Sequence, residues 1–212
     1  MPHTTADEGV IKFELQFHSA PALPAGSSAP LRAWHRICHR LGLLGRDPDR
    51  YGGYAYGNLS LRSLPGFLIS GTQTAGRPEL GPDDYAEVLS WDVAANRVEA
   101  RGPCRPSSES ITHGMIYDCA PSANCVVHAH HPAIWSRAER LGIATTDADI
   151  AYGTPEMAFA VRELFDSGAL GAEQGLFVML GHEDGVVSYG ADTEAAGGLM
   201  VMALSRAQQL VS

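Results

Sequence analysis

Apolar and polar residues alternate over residues 10–17, where Ile11, Phe13, Leu15 and Phe17 are separated by Lys12, Glu14 and Gln16. A period of two predicts a half-buried strand. Residues 21–30 are rich in Pro, Ala, Gly and Ser and read as a linker. A helix is expected from about Pro30, capped by Ser28, with Trp34, Ile37, Cys38, Leu41 and Leu44 as its apolar stripe and Gly45 as its end. Two short strands follow at 58–61 and 67–70, joined by a turn at Pro65-Gly66, and 71–76 reads as an irregular loop. Ser107 or Ser108 caps a helix that runs through Glu109, Ile111, Met115 and Ile116 to about Cys119. Residues 126–129 form a strand, Pro132 and Pro155 each open a helix, and 176–180 and 185–189 form a hairpin across 181–184. Asp192 caps the last helix, which carries Leu199, Met200, Met202, Ala203 and Leu210.

The connections within 57–70 and 176–190 are too short for parallel crossovers, so much of the sheet is expected to be antiparallel. The pattern predicts an α/β protein with a single three-layer α/β/α domain and a mainly antiparallel central sheet. Residues 1–29 read as an N-terminal strand and linker arm and 30–212 as the domain. No internal repeat interrupts it.

With 45% hydrophobic and 18% charged residues, 212 residues suffice for a sizeable core. The net charge of −9, with no Lys/Arg cluster, argues against nucleic acid or an anionic membrane as partner and leaves room for a small molecule. No apolar run reaches the roughly 20 residues of a membrane span. Residues 1–8 lack a basic and then apolar leader. Cys38, Cys104, Cys119 and Cys125 show no CxxC spacing and read as reduced thiols of a cytoplasmic protein.

The segment richest in chemistry is Val126-Val127-His128-Ala129-His130-His131-Pro132. On a strand, side chains two apart share a face, so His128 and His130 can grip one ion, while His131 points the other way. Glu109 and His113, four apart on a helix, also share a face. His182 sits at a tight turn. Three imidazoles and a carboxylate suit zinc or a similar divalent ion. His113 is expected to support or pack. His3 and His18 read as surface residues, and His35 and His39, among Arg32, Arg36 and Arg40, as a solvated helix face. Glu183 and Asp184 read as exposed turn residues. The run Tyr51-Gly52-Gly53-Tyr54-Ala55-Tyr56 is either an aromatic loop facing substrate or a flexible loop packed by its own tyrosines.

The chain resembles the class II aldolase/adducin family, in particular its fuculose-phosphate aldolase-like members. Gly57-Asn58-Leu59-Ser60, Leu68-Ile69-Ser70-Gly71-Thr72, Pro106-Ser107-Ser108-Glu109, Val126-Val127-His128-Ala129-His130 and Gly153-Thr154-Pro155-Glu156-Met157 match its motifs in order, with Gly181-His182 at its third histidine. The resemblance implies that His128, His130, His182 and Glu109 hold a divalent metal, most simply Zn2+, with Mn2+, Co2+ and Ni2+ as alternatives. It implies that Glu109 is also the acid/base, and that Asn58, Thr72, Ser107 and Ser108 bind substrate. The activity implied is that of an aldolase, a carbon–carbon lyase acting on a sugar, sugar phosphate or related hydroxy-carbonyl compound through a metal-stabilised enediolate. Epimerase, dehydratase and decarboxylase chemistry at the same metal, or a non-catalytic adducin-like interaction domain, are the alternatives. A homotetramer is implied as well. The chain departs from the family pattern at Gln73, where glycine is usual, at Glu183-Asp184, which separate His182 from Gly185, and after Tyr189, beyond which no tyrosine follows.

Overall fold

The computed structural model describes residues 10–210, so His3 and the rest of the first nine positions lie outside the described residues. In chain order the elements are β1 (Glu14–Ser19), α1 (Ala29–Arg40), β2 (Gly45–Arg46), β3 (Ala55–Tyr56), β4 (Asn58–Arg62), β5 (Phe67–Ser70), β6 (Tyr85–Asp92), β7 (Arg97–Gly102) and α2 (Ser110–Cys119). They continue with β8 (Cys125–His130), α3 (Pro132–Trp135), α4 (Ala138–Leu141), β9 (Ala144–Thr145), α5 (Pro155–Asp166), β10 (Gly175–Val178), β11 (Gly185–Gly190) and α6 (Thr193–Gln209). Among the described residues, nine strands form one sheet in the order β1-β7-β6-β5-β4-β8-β11-β10-β9, with β2 and β3 paired apart from it. Only the outermost pairings, β1 with β7 and β10 with β9, are parallel. The expectation of a mainly antiparallel sheet therefore holds.

Side-chain alternation sorts the strands onto two cores. On one face Phe67, Ile69, Val126, Val187 and Tyr189 pack against Ile111, Met115 and Ile116 of α2 and Met157, Ala158 and Val161 of α5. On the other, Leu59, Leu68, Cys125, Val127 and Val186 meet Leu31 and Cys38 of α1, Ile134 of α3 and Ala196 and Met200 of α6. Helices thus cover both sheet faces, which is the expected three-layer arrangement. Ile11, Phe13, Leu15 and Phe17 all pack on the α2 side, as their alternation requires. No helix among the described residues is long and apolar enough to cross a membrane.

The structure corrects several expectations. The hydrophobic pattern reads no element between Gly76 and Ser107, yet β6 and β7 form a hairpin there. Its alternation is masked because Glu87 is buried, accepting a 2.7 Å bond from Arg101 Nε. Helix α1 ends at Arg40 rather than Gly45, Ser28 makes no side-chain cap, and Ile37 and Leu41 are exposed. His35 is buried instead, its Nε2 2.7 Å from the Arg77 carbonyl. Burial pushes its pKa down, with that bond opposing the shift. The cap expected at Asp192 is present, its Oδ1 accepting from Ala195 N at 2.8 Å, and the helix that Pro155 opens is capped by Thr154, whose Oγ1 accepts from Met157 N at 3.3 Å.

Candidate metal centre

Asn58 opens β4, Ser70 closes β5, His130 closes β8, and Gly185, just past His182, opens β11. Because these four strands are neighbours and pair antiparallel, all of those positions lie at one end of the sheet's middle. His128 pairs across β4 with Asn58 and across β11 with Val187, while His130 pairs with Gly185. The turn to His182 is closed by its N–H to the Met179 carbonyl at 3.0 Å and by Gly185 N to its own carbonyl at 2.8 Å. Strand alternation and this turn aim three imidazoles at one point.

His128, His130 and His182 form a buried group whose ligand atoms all lie within 4.8 Å of one another. Nε2 of His130 is 3.2 Å from Nε2 of His128, and the His182 ring centroid lies 5.0 Å and 4.6 Å from those of His128 and His130. Burial first, then the neighbouring imidazoles, hold His128 and His130 well below the usual histidine pKa. Neutral imidazoles are the form that ligates. Asn58 Oδ1, on the residue paired with His128, is buried with no hydrogen-bond partner among the described residues. A convergent set of three nitrogen donors beside an unused acceptor fits a divalent ion with an oxygen ligand or substrate bound next to it.

Gly57 explains part of this geometry. Its φ of +83° lies in the left-handed region, and a Cβ there would run into Leu44 Cδ2 and come within 3.0 Å of the His128 carbonyl. Glycine lets the chain enter β4 against the ligand strand.

Glu109, only 2% exposed, lies outside the tight histidine group. Its Oε2 accepts from Thr112 Oγ1 at 3.1 Å, and its Oε1 is 3.6 Å from the position a Cβ on Gly153 would take. The neighbouring Tyr152 ring stacks on His182, centroids 4.0 Å apart, so the carboxylate borders the group across residues 152–153. Of the substrate-binding candidates, Ser107 Oγ accepts from Glu109 N at 3.3 Å. Thr72 N donates to the Arg105 carbonyl at 3.1 Å, and a bridge joins Gly71 to Pro106. These contacts bring the Thr72 turn beside the segment of Ser107 and Ser108, both of which are buried. His113 is buried with Nδ1 2.7 Å from Ser60 Oγ, which also lies 2.8 Å from the Tyr117 hydroxyl. Burial lowers the His113 pKa to about 3. His131 caps α3, its Nδ1 accepting from Ala133 N at 3.2 Å.

Other neighbours escape the sequence reading. Lys12 reaches over from the chain's first described stretch: Nζ donates to the Tyr152 carbonyl at 2.8 Å and lies 3.7 Å from the centre of its ring. In the sequence Lys12 is one polar position of an alternating strand, and no local signal links it to a residue 140 positions away. The aromatic loop does face the site: the Tyr51 ring meets the His130 ring edge-on at 4.8 Å, with Tyr56 5.4 Å from His130. Asp184, expected exposed, is 3% exposed, accepting from Arg50 Nη2 and, at 2.6 Å, from the Tyr51 hydroxyl. A carboxylate is buried only with partners, and these come from a loop more than 130 residues away. Gln73, where glycine is usual, adopts φ +61° and ties the other end of that loop, accepting from Ala55 N at 3.0 Å.

Comparisons with known proteins bear on the family and the fold. Residues 47–211 match the sequence profile of the family described as "Class II Aldolase and Adducin N-terminal domain". A methylthioribulose-1-phosphate dehydratase of Cronobacter sakazakii (strain ATCC BAA-894) is 32% identical over 112 residues, 52% of this chain and 50% of that protein. A protein of the same name from Pseudomonas syringae pv. syringae (strain B728a) is 40% identical over 52 residues, 24% of this chain and 23% of its own length. The matched part thus spans half or less of these curated relatives. Among solved structures, L-fuculose-1-phosphate aldolase from Thermus thermophilus superposes with a TM-score of 0.65 at 21% identity, over 89% of this chain and 94% of that one.

Proposed function

Because this chain belongs to the class II aldolase and adducin N-terminal domain family, we propose that it is a metal-dependent lyase acting on a sugar phosphate or related hydroxy-carbonyl compound. The observation that carries the reading is the convergence of His128, His130 and His182 on one buried point. These three imidazoles are the ion's permanent ligands, and zinc suits them best, with manganese, cobalt and nickel acceptable to the same donors. The ion supplies Lewis-acid charge for the oxyanion that develops when a proton leaves carbon next to a carbonyl.

The protein's own groups do the rest. Glu109 takes the proton from that carbon and returns it, its carboxylate oriented by the Thr112 hydroxyl. Asn58 Oδ1 accepts from a substrate hydroxyl beside His128. Ser107, Ser108 and Thr72 hold the substrate's anionic end ahead of α2, where free backbone N–H groups favour negative charge. Burial of the histidines keeps water from competing for the developing charge.

Which proton leaves first decides the product. Loss of the proton from the α-carbon, followed by loss of the β-hydroxyl with a proton as water, is dehydration. Loss of the proton from the β-hydroxyl, with cleavage of the carbon–carbon bond, is retro-aldol release of an aldehyde, and Glu109 then returns a proton to the carbon of the enediolate left behind. The names of the similar proteins from Cronobacter and Pseudomonas favour dehydration. The fold shared with a fuculose-phosphate aldolase keeps aldol cleavage as the second reading. We further propose that the protein assembles as a homotetramer.

Metal analysis of untagged wild type beside His128→Ala and His182→Ala tests the centre: about one divalent ion per chain, lost in both variants, is expected. An ion retained in His182→Ala would remove that ligand, and no ion in reconstituted wild type would overturn the metal-dependent reading. Incubation with methylthioribulose 1-phosphate and with fuculose 1-phosphate then separates the reactions, since only the second reading releases an aldehyde.

A further inference from the structure

The residues that separate His182 from Gly185 do more than lengthen a turn. Asp184 sits in the left-handed region at φ +59° with its side chain turned inward, 5% exposed. There the carboxylate takes the Arg50 guanidinium and the Tyr51 hydroxyl on the same oxygen, Oδ2. Its carbonyl meanwhile accepts from His131 N at 2.9 Å, one residue beyond the end of the ligand strand.

The loop on the other side is held in a costly shape. Tyr51, Gly52 and Gly53 all have positive φ, +51°, +64° and +76°. A tyrosine adopts that region only when surrounding contacts impose it. The Arg50 guanidinium lies 4.9 Å from the Tyr51 ring centre, so ring and cation are clasped together by the one carboxylate. The outcome is that the Tyr51 ring stands edge-on against His130 and, 4.9 Å away, against Tyr56.

We propose that Asp184 is a positioning residue of the metal centre, clasping Arg50 and Tyr51 so that the turn carrying His182 and the ring wall confining His130 are locked to each other. The inference rests on the reading of the three histidines as metal ligands. It adds a device built on the Glu183-Asp184 turn: one buried carboxylate fixes two of three ligands by acting on their supports through Arg50 and Tyr51.

Cobalt(II) is the probe, because its visible absorption reports coordination geometry without any turnover. Tyr51→Phe removes one oxygen and keeps the ring, and Asp184→Asn removes the charge and keeps the shape. Each is expected to weaken Co2+ binding about 10–100-fold in chelator competition, the scale seen when groups behind metal ligands are lost. The absorption band should change intensity as His130 and His182 lose their common reference. The double variant should bind little worse than Asp184→Asn alone, because both changes break the same contact. Thermal unfolding without metal checks that each variant folds, and if Asp184→Asn does not, Tyr51→Phe carries the test. Wild-type affinity and spectrum in the folded variants would overturn the inference alone. Failure of the wild type to bind Co2+ would overturn the metal reading and the clasp with it.

Discussion

Glu109 and His113 lie one helical turn apart and are both buried, but their surroundings assign them different work. The carboxylate borders the histidine group, whereas the imidazole is bonded to Ser60. Glu109→Gln keeps the shape and the acceptor for Thr112 but cannot take a proton. Turnover should fall about 10²–10⁴-fold with metal content unchanged, and parallel loss of both would make the residue structural. His113 links folding to acid. Its folded pKa, about 3, lies below its ordinary 6.5, so the unfolded chain takes up the proton first. Its contribution to stability is therefore flat above pH 6.5 and falls as pH drops from there toward 3. Urea midpoints of metal-free protein between pH 7.5 and 5 should decline less in His113→Gln than in wild type. Ser60→Ala strands the imidazole and should cost about 1–3 kcal/mol.

Elements differ in how openly the sequence declares them. β8 was legible because its histidines stand two apart within a run of small apolar residues, and strand geometry alone then faces them together. His182 was legible only through the motif it resembles, since nothing local says that its turn closes against β8. The β6–β7 hairpin was hidden by charge, because Glu87 and Arg101 satisfy each other only after the strands pair. Asp184 and Lys12 were hidden for the same reason, as their partners are distant in sequence and burial of charge has no local signature. Helix packing carries its own test. Gly114 of α2 faces Trp91 of β6, whose Cδ1 would be 2.6 Å from an added Cβ, whereas Gly198 of α6 has nothing within 4 Å. Gly114→Ala should destabilise by about 1–3 kcal/mol, and Gly198→Ala should stabilise by up to about 1 kcal/mol. Equal effects in urea unfolding would show that α2 does not pack as described.

For the whole molecule, the site is a product of topology. Four antiparallel neighbours end together, so residues spread from Asn58 to His182 meet at one end of the sheet's middle strands without a long loop being needed. The expectation of a tetramer is checked by size-exclusion chromatography with light scattering, which should give about four times the 22.6 kDa chain. A species of chain mass only would reject it. The profile of the family begins at residue 47, yet the ammonium lying on Tyr152 comes from well before it. Lys12 thus ties residues that precede the profile to the ring stacked on His182. A protein trimmed to start at Glu14 would keep every proposed ligand and still leave the Tyr152–His182 stack without its covering cation.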